Sequence, residues 1–260
     1  PVEHYGLDAG TLKPGSPADI VVVGDLNEMN VLETWIDGVK VYDRGRVLFK
    51  YSPSEPVNKF NCSPVQESDI AVRGKGRTIR VIEASDGELL TGSALEPVKD
   101  GEFIDPDTER DILKIVVKDR YHDNPPAIAF IRGFGLKHGA FAGSVAHDSH
   151  NIIAVGTRDS DIVSAINEVI KMKGGLSVAA GDKIYSLSLP VAGILSASPV
   201  SETARNYEML SDIVGSMGCT ISSPFMTLSF MALLVIPELK LSDSGLFDAI
   251  NFKHISLFAD

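Results

Sequence analysis

Asn151-Ile-Ile-Ala-Val-Gly-Thr-Arg-Asp159-Ser-Asp-Ile-Val-Ser-Ala-Ile-Asn-Glu-Val-Ile-Lys-Met172-Lys-Gly174-Gly175-Leu-Ser-Val-Ala179 reads as strand, helix, strand. Its two ends, Asn151–Val155 and Leu176–Ala179, are short apolar runs of strand length. Between them, Ile162, Val163, Ile166, Val169 and Ile170 fall on one face of a helix. Asp159 and Asp161 open that helix, Lys171 and Lys173 close it, and Gly174-Gly175 stop it, as the helix dipole and capping preferences require.

Working outward, Arg77–Ile82, Ile112–Val117, Ala127–Ile131 and Ser144–Ala146 are expected as further strands, and Ser201–Met217, closed by Gly218, as a second helix. The residues from 65 to 260 therefore predict a layered sheet-and-helix domain of α+β or mixed α/β class. Upstream, Tyr51 to Pro64 holds three prolines, Pro53, Pro56 and Pro64, so 52–64 is expected as a linker. Residues 1–51 read as β structure. Ala18–Val23 is a β-branched run, Val31–Ile36 and Val39–Tyr42 flank the hairpin signal Asp37-Gly38, and Arg46–Phe49 follows a second break at Asp43-Arg-Gly45.

The 260 residues carry a formal charge of −11, which repels a phosphate backbone and argues against nucleic acid as a partner. Cys62 and Cys219, without C-x-x-C spacing, argue against a disulfide framework or a thiolate zinc site and suit the cytoplasm. The most apolar stretch, Phe225–Ile236, is too short for a membrane span and reads as core. The N-terminus shows no initiator methionine and no signal peptide, so a fragment or processed piece is expected.

The densest cluster of chemistry-bearing side chains is His147-Asp148-Ser149-His150-Asn151, placed before an apolar strand and so expected at a strand end or tight turn. Two imidazoles, a carboxylate, a hydroxyl and an amide can bind a purine edge, relay a proton or ligate a metal. They can equally form a polar turn that satisfies its own backbone. Arg132-Gly133-Phe-Gly135 ends a strand in a glycine-rich turn where backbone can approach a ligand closely, although the phosphate-loop order is missing.

Gly10-x-Leu12-x-Pro14-Gly15-x-x-Ala18-Asp19-Ile-Val-Val-Val23, followed by Trp35-Ile-Asp37-Gly38, resembles the final strands of the amidohydrolase superfamily, where the chain leaves the (β/α)₈ barrel and completes a small β-sandwich. Phe141–Gly156, Asn167, Met172–Gly175, Leu189-Pro190-Val-Ala-Gly193, Pro224–Phe230 and Ile236–Leu246 together resemble the C-terminal domain of bacterial and archaeal adenine deaminases. The resemblance runs from Val2 to Phe258. It implies a partial β-sandwich before the layered domain. It also implies hydrolytic removal of the 6-amino group of adenine, with two divalent metals, manganese or iron, supplying hydroxide near neutral pH.

The metal ligands of that family lie on barrel strands. No H-x-H occurs here, so no metal ligand and no cofactor is expected in this chain, and the 260 residues alone are expected to be inactive. The implied partners are a missing N-terminal barrel half, adenine, and further copies in a homo-oligomer. His147, Asp148 and His150 are expected as auxiliary catalytic residues, and Ser149, Asn151, Arg132 and Gly133 as substrate contacts. The H-x-E and P-C-x-x-C pattern of the zinc deaminases does not fit Cys62 or Cys219. Competing readings are a non-catalytic interaction or oligomerisation domain, and a small metal-binding domain using His147, Asp148 and His150.

Overall fold

The structure, a computed structural model, describes residues 1–50, 55–74, 78–99 and 101–259. The chain divides into two compact units, Pro1–Ser54 and Glu55–Asp260.

In the first unit a short helix α1 (Val2–Tyr5) precedes strands β1 (Ile20–Val23), β2 (Val31–Ile36), β3 (Val39–Asp43) and β4 (Arg46–Val47). They form one antiparallel sheet in chain order. Asp37 and Gly38 both take positive φ, as do Arg44 and Gly45, which gives the two tight turns read from the sequence. The Asp19 carboxylate ties the sheet's lead-in to its first hairpin by accepting the N–H groups of Gly10 (2.8 Å) and Asp37 (2.7 Å). Trp35 is half-buried under Lys40, whose ammonium lies 5.0 Å from the ring centre. No residue from 1 to 50 is buried, while Val21, Ile36, Val39 and Phe49 are more than half exposed.

The second unit is built on eight strands: β5 (Thr78–Glu83), β6 (Gly92–Pro97), β7 (Leu113–Lys118), β8 (Ala127–Arg132), β9 (Ala140–Gly143), β10 (Ile152–Gly156), β11 (Gly175–Ala180) and β12 (Lys183–Ser188). Their order is β12-β11-β9-β10-β7-β8-β5-β6, antiparallel throughout except for the β5–β8 pair. Helix α2 (Asp159–Met172) covers one face. On the other face lie α3 (Val200–Ser216), α4 (Pro224–Phe230) and a three-stranded sheet of β13 (Leu239–Ser242), β14 (Gly245–Asp248) and β15 (Lys253–His254).

Side-chain alternation assigns the two faces. Ile152 and Ala154 pack under α2 with Ile162, Ile166 and Val169, whereas Ile153 and Val155 join Phe141, Leu210, Val214, Phe225 and Leu228. Because both faces are covered, β7 and β10 are buried along their whole length, and β10 reads as an unbroken apolar run. Lys118, at the end of β7, is one of its two buried charged residues, and Lys114 is the other. The Lys114 ammonium is buried on the α2 side and donates to Ile70 O (3.0 Å) and Asp159 Oδ1 (2.5 Å).

Two sequence expectations are revised. The strand placed at Ser144–Ala146 lies at Ala140–Gly143 instead, and Ser144–Ala146 leave the sheet. A small-residue strand has no period of its own, so its place is set by pairing with β10 and β11. Gly174-Gly175 do more than end α2. A side chain at Gly174 would stand 2.5 Å from Gly193 Cα, and one at Gly175 would stand 2.3 Å from Leu187 O. The left-handed cap residue is Lys173, with φ of 55°. In the strand read as Arg77–Ile82, Arg77 lies outside the described residues; of the stretch 52–64, residues 52–54 do too. Residues 55–64 carry no regular structure, and Asn61 N–H donates to Arg120 O (2.8 Å) while Ser63 N–H and Oγ donate to Asp123 (2.9 and 2.8 Å).

Candidate functional site

At the end of the sheet where β7 finishes and β10 begins, Lys118 pairs with Ile152, and the β9–β10 connection, residues 144–151, projects beyond the strands. Its entrance is pinned by Ser144, whose Oγ accepts the Gly175 N–H (2.8 Å) and donates to Gly193 O (2.5 Å). Its exit is pinned by buried Asn151, whose Oδ1 accepts the Arg120 backbone N–H at 3.2 Å. Between them the His150 N–H closes onto Ala146 O (2.6 Å), with His150 at a φ of 52°, and the His147 N–H donates to Ser229 O in α4 (3.0 Å).

Those backbone anchors leave the side chains of the loop outside the sheet. Asp148 and Ser149 are exposed; His147 and His150 are half-buried. The His147 ring lies against Phe230, centroids 4.7 Å apart, and meets His150 edge to face. Burial lowers the pKa of His150, helped by the charges of His147 and Arg120 and opposed by Asp148. His150 is thereby biased to the neutral imidazole, which can accept or donate a proton. Ser229 and Val145 also line an open apolar groove of about 670 Å³ with Leu176, Leu187, Tyr207 and Phe225.

Behind the loop stand two residues that the sequence reading passed over. Arg120 Nη2 donates to Tyr121 Oη (2.8 Å), and Tyr121 Oη donates to Ser149 O (2.9 Å). The Arg120 guanidinium is stacked between Phe60 (5.3 Å) and Tyr121 (4.7 Å), and it fills the space a side chain at Gly193 would occupy. An arginine two residues beyond a buried strand was a visible signal; its partners at 60, 149 and 193 were not. The neighbouring Asp119 accepts the N–H groups of Tyr121 (2.8 Å) and His122 (3.2 Å), the His122 ring (3.0 Å) and the Asn124 amide (3.0 Å).

Arg132 and Gly133 are at the opposite end of the sheet, because Ile131 pairs with Leu113, the first residue of β7. A six-residue strand separates the two ends by roughly 17 Å. The Arg132 guanidinium is held by Glu83 (2.8 Å through Nε) and Glu96 (2.7 Å through Nη1). The Gly133 and Gly135 N–H groups are both satisfied by Asp111 (2.7 and 2.8 Å). A side chain at Gly133 would stand 2.0 Å from Ala84 O. The close backbone approach expected of this glycine is therefore made to the neighbouring chain segment.

Among the described residues, no three histidine, cysteine, aspartate or glutamate side chains converge as a metal-ligating group, the His147-Asp148-His150 set included. No helix among them is long and apolar enough to cross a membrane.

Residues 89–253 match the family model described as the adenine deaminase C-terminal domain. Over its whole length the chain is 49% identical to the adenine deaminase of Methanosarcina barkeri and 48% identical to that of Salinibacter ruber, covering 49% and 48% of those proteins. The adenine deaminase of Methanothermobacter thermautotrophicus is 43% identical across 97% of the chain, which spans 48% of that relative. The chain thus spans about half the length of the curated relatives it matches.

Proposed function

The chain belongs to the adenine deaminase C-terminal domain family, and on that premise we propose that the protein containing it hydrolyses adenine to hypoxanthine and ammonia. Water adds at C6 of the purine, the C6–N6 bond breaks, and the leaving nitrogen takes up a proton as ammonia. The observation that carries the reading is the near-half identity to adenine deaminases along the entire chain.

Among the described residues, the side chains do not fit a two-metal centre. In our reading a manganese or iron pair belongs to an amidohydrolase-type barrel in the other half of the protein. This half contributes scaffold, in a cytoplasmic purine-salvage enzyme that assembles from several copies.

Within this chain we assign the 146–151 loop to one wall of the purine cavity. Adenine presents N–H donors at its amino group and imidazole ring. The exposed Asp148 carboxylate and Ser149 hydroxyl are acceptors for them, and His150, biased neutral, can pass a proton at the purine edge. Asn151 serves by holding the loop's exit, since its carbonyl oxygen is already engaged. Arg132 and Gly133 brace the far end of the sheet in this reading, because Glu83, Glu96 and Asp111 occupy their donors.

The test uses the protein at the relatives' full length and follows hypoxanthine formation. Asp148→Ala and His150→Ala are each expected to lower kcat/KM by about 10- to 100-fold, with the thermal midpoint held within a few degrees. Unchanged kinetics in both removes the loop from the cavity. No hypoxanthine from the unsubstituted protein, supplied with manganese or iron, overturns the activity.

The interaction-domain reading has one specific observation in its favour: a β unit whose 50 described residues include none that is buried. A single sheet in that state needs a covering layer from elsewhere.

A further inference from the structure

Arg120 is only 4% exposed, yet no carboxylate lies within 4 Å of its guanidinium among the described residues. Its Nε and Nη1, together with His150 Nδ1, account for three of the four buried side-chain polar atoms that find no hydrogen-bond partner there. Buried charges are ordinarily paired, because removing an ion from water costs more than packing returns. A cation kept buried and unpaired is destabilising by itself, and its retention calls for a compensating role.

We propose that Arg120 and Tyr121 are positioning residues for the 146–151 loop, holding its backbone on either side of its second histidine. This rests on the loop being a wall of the purine cavity. Three consecutive loop residues answer to the pair. Ser149 O accepts from Tyr121 Oη, which is itself oriented by Arg120 Nη2. Asn151 Oδ1 accepts the Arg120 backbone N–H. Between those two contacts lies His150, which feels the Arg120 charge. The Phe60 ring centre lies 5.3 Å from the guanidinium carbon, and the absence of a side chain at Gly193 leaves the space that Nη1 occupies.

The charged groups acting on His150 are His147, Arg120 and Asp148. After burial and His147, Arg120 adds to what disfavours a positive charge on that ring.

The experiment compares Tyr121→Phe, Arg120→Lys and Arg120→Met in the full-length protein. Tyr121→Phe removes one hydrogen bond and is expected to lower kcat/KM about tenfold at an unchanged thermal midpoint. Arg120→Lys keeps the charge but not the planar fork, and a loss of similar size is expected. Arg120→Met removes an unpaired buried charge; the thermal midpoint should hold or rise while kcat/KM falls and the His150 titration, followed by NMR, moves up toward pH 6.5.

A merely structural arginine gives the reverse, a lowered midpoint in Arg120→Met with kcat/KM and the His150 titration unmoved. That result overturns the proposal, as does a Tyr121→Phe protein within twofold of the unsubstituted kcat/KM. If His150→Ala is itself inert while Arg120→Met still moves the His150 titration, the loop's place in the cavity fails and the positioning by Arg120 stands.

Discussion

His147 and His150 meet edge to face, with ring centroids 5.5 Å apart and ring planes 69° from each other. Burial disfavours the charged form of His150, and the nearby His147 ring and Arg120 add to this. The His150 pKa in the folded protein is therefore below its ordinary value, so the unfolded chain binds more protons as pH falls through about 6.5. The contribution of His150 to stability is complete above that pH and is lost as the pH drops toward the folded-state value. Urea midpoints between pH 7.5 and 5 should fall more steeply for the unsubstituted protein than for His150→Gln. Equal slopes would remove the burial argument.

Asp123 predicts a loss in the same direction over a more acidic window. Its carboxylate accepts Ser63 N–H and Oγ (2.9 and 2.8 Å) and Lys118 Nζ (3.1 Å), and these hold its pKa down to about 2. The stability it lends is present above the ordinary aspartate value and disappears as pH falls toward about 2. Asp123→Asn should be less stable at pH 7 and show a shallower loss between pH 4 and 2, measured by urea unfolding.

Gly133 and Gly87 separate steric necessity from backbone preference. Gly133 has φ of 105°, and an added methyl would meet Ala84 O at 2.0 Å. Gly87 has φ of 74° with open space around it. Gly133→Ala is expected to cost about 3 kcal/mol or more and Gly87→Ala about 1 kcal/mol, read from denaturant midpoints. Comparable costs would show that the Gly133 turn can move aside.

The first unit carries its own prediction. With none of residues 1–50 buried, it lacks a core able to offset the entropy of ordering the chain. Expressed alone, residues 1–54 should show no cooperative thermal transition by circular dichroism. A sharp transition would show that the four strands suffice.

The sequence determined what depends on neighbours a few residues apart. Helix α2 was legible because its apolar stripe, acidic start and basic end all lie within fourteen residues. The Asp37-Gly38 turn was legible because its chemistry is local. The loop at 147–151 also stood out, since its polar side chains are contiguous and followed by a buried strand.

What the sequence could not supply was set by contacts between distant segments. β9 was misplaced because Ala140–Gly143 is a strand only by virtue of β10 and β11 on either side. Arg132 and the 147–151 loop looked like parts of one site, and the antiparallel β7–β8 pairing sends them to opposite ends of the sheet. Arg120 gained its place only when Phe60, Tyr121, Ser149 and Gly193 closed around it. Pairing direction and burial are properties of the folded chain as a whole, so tertiary structure alone decided which charged groups face the loop and which do not.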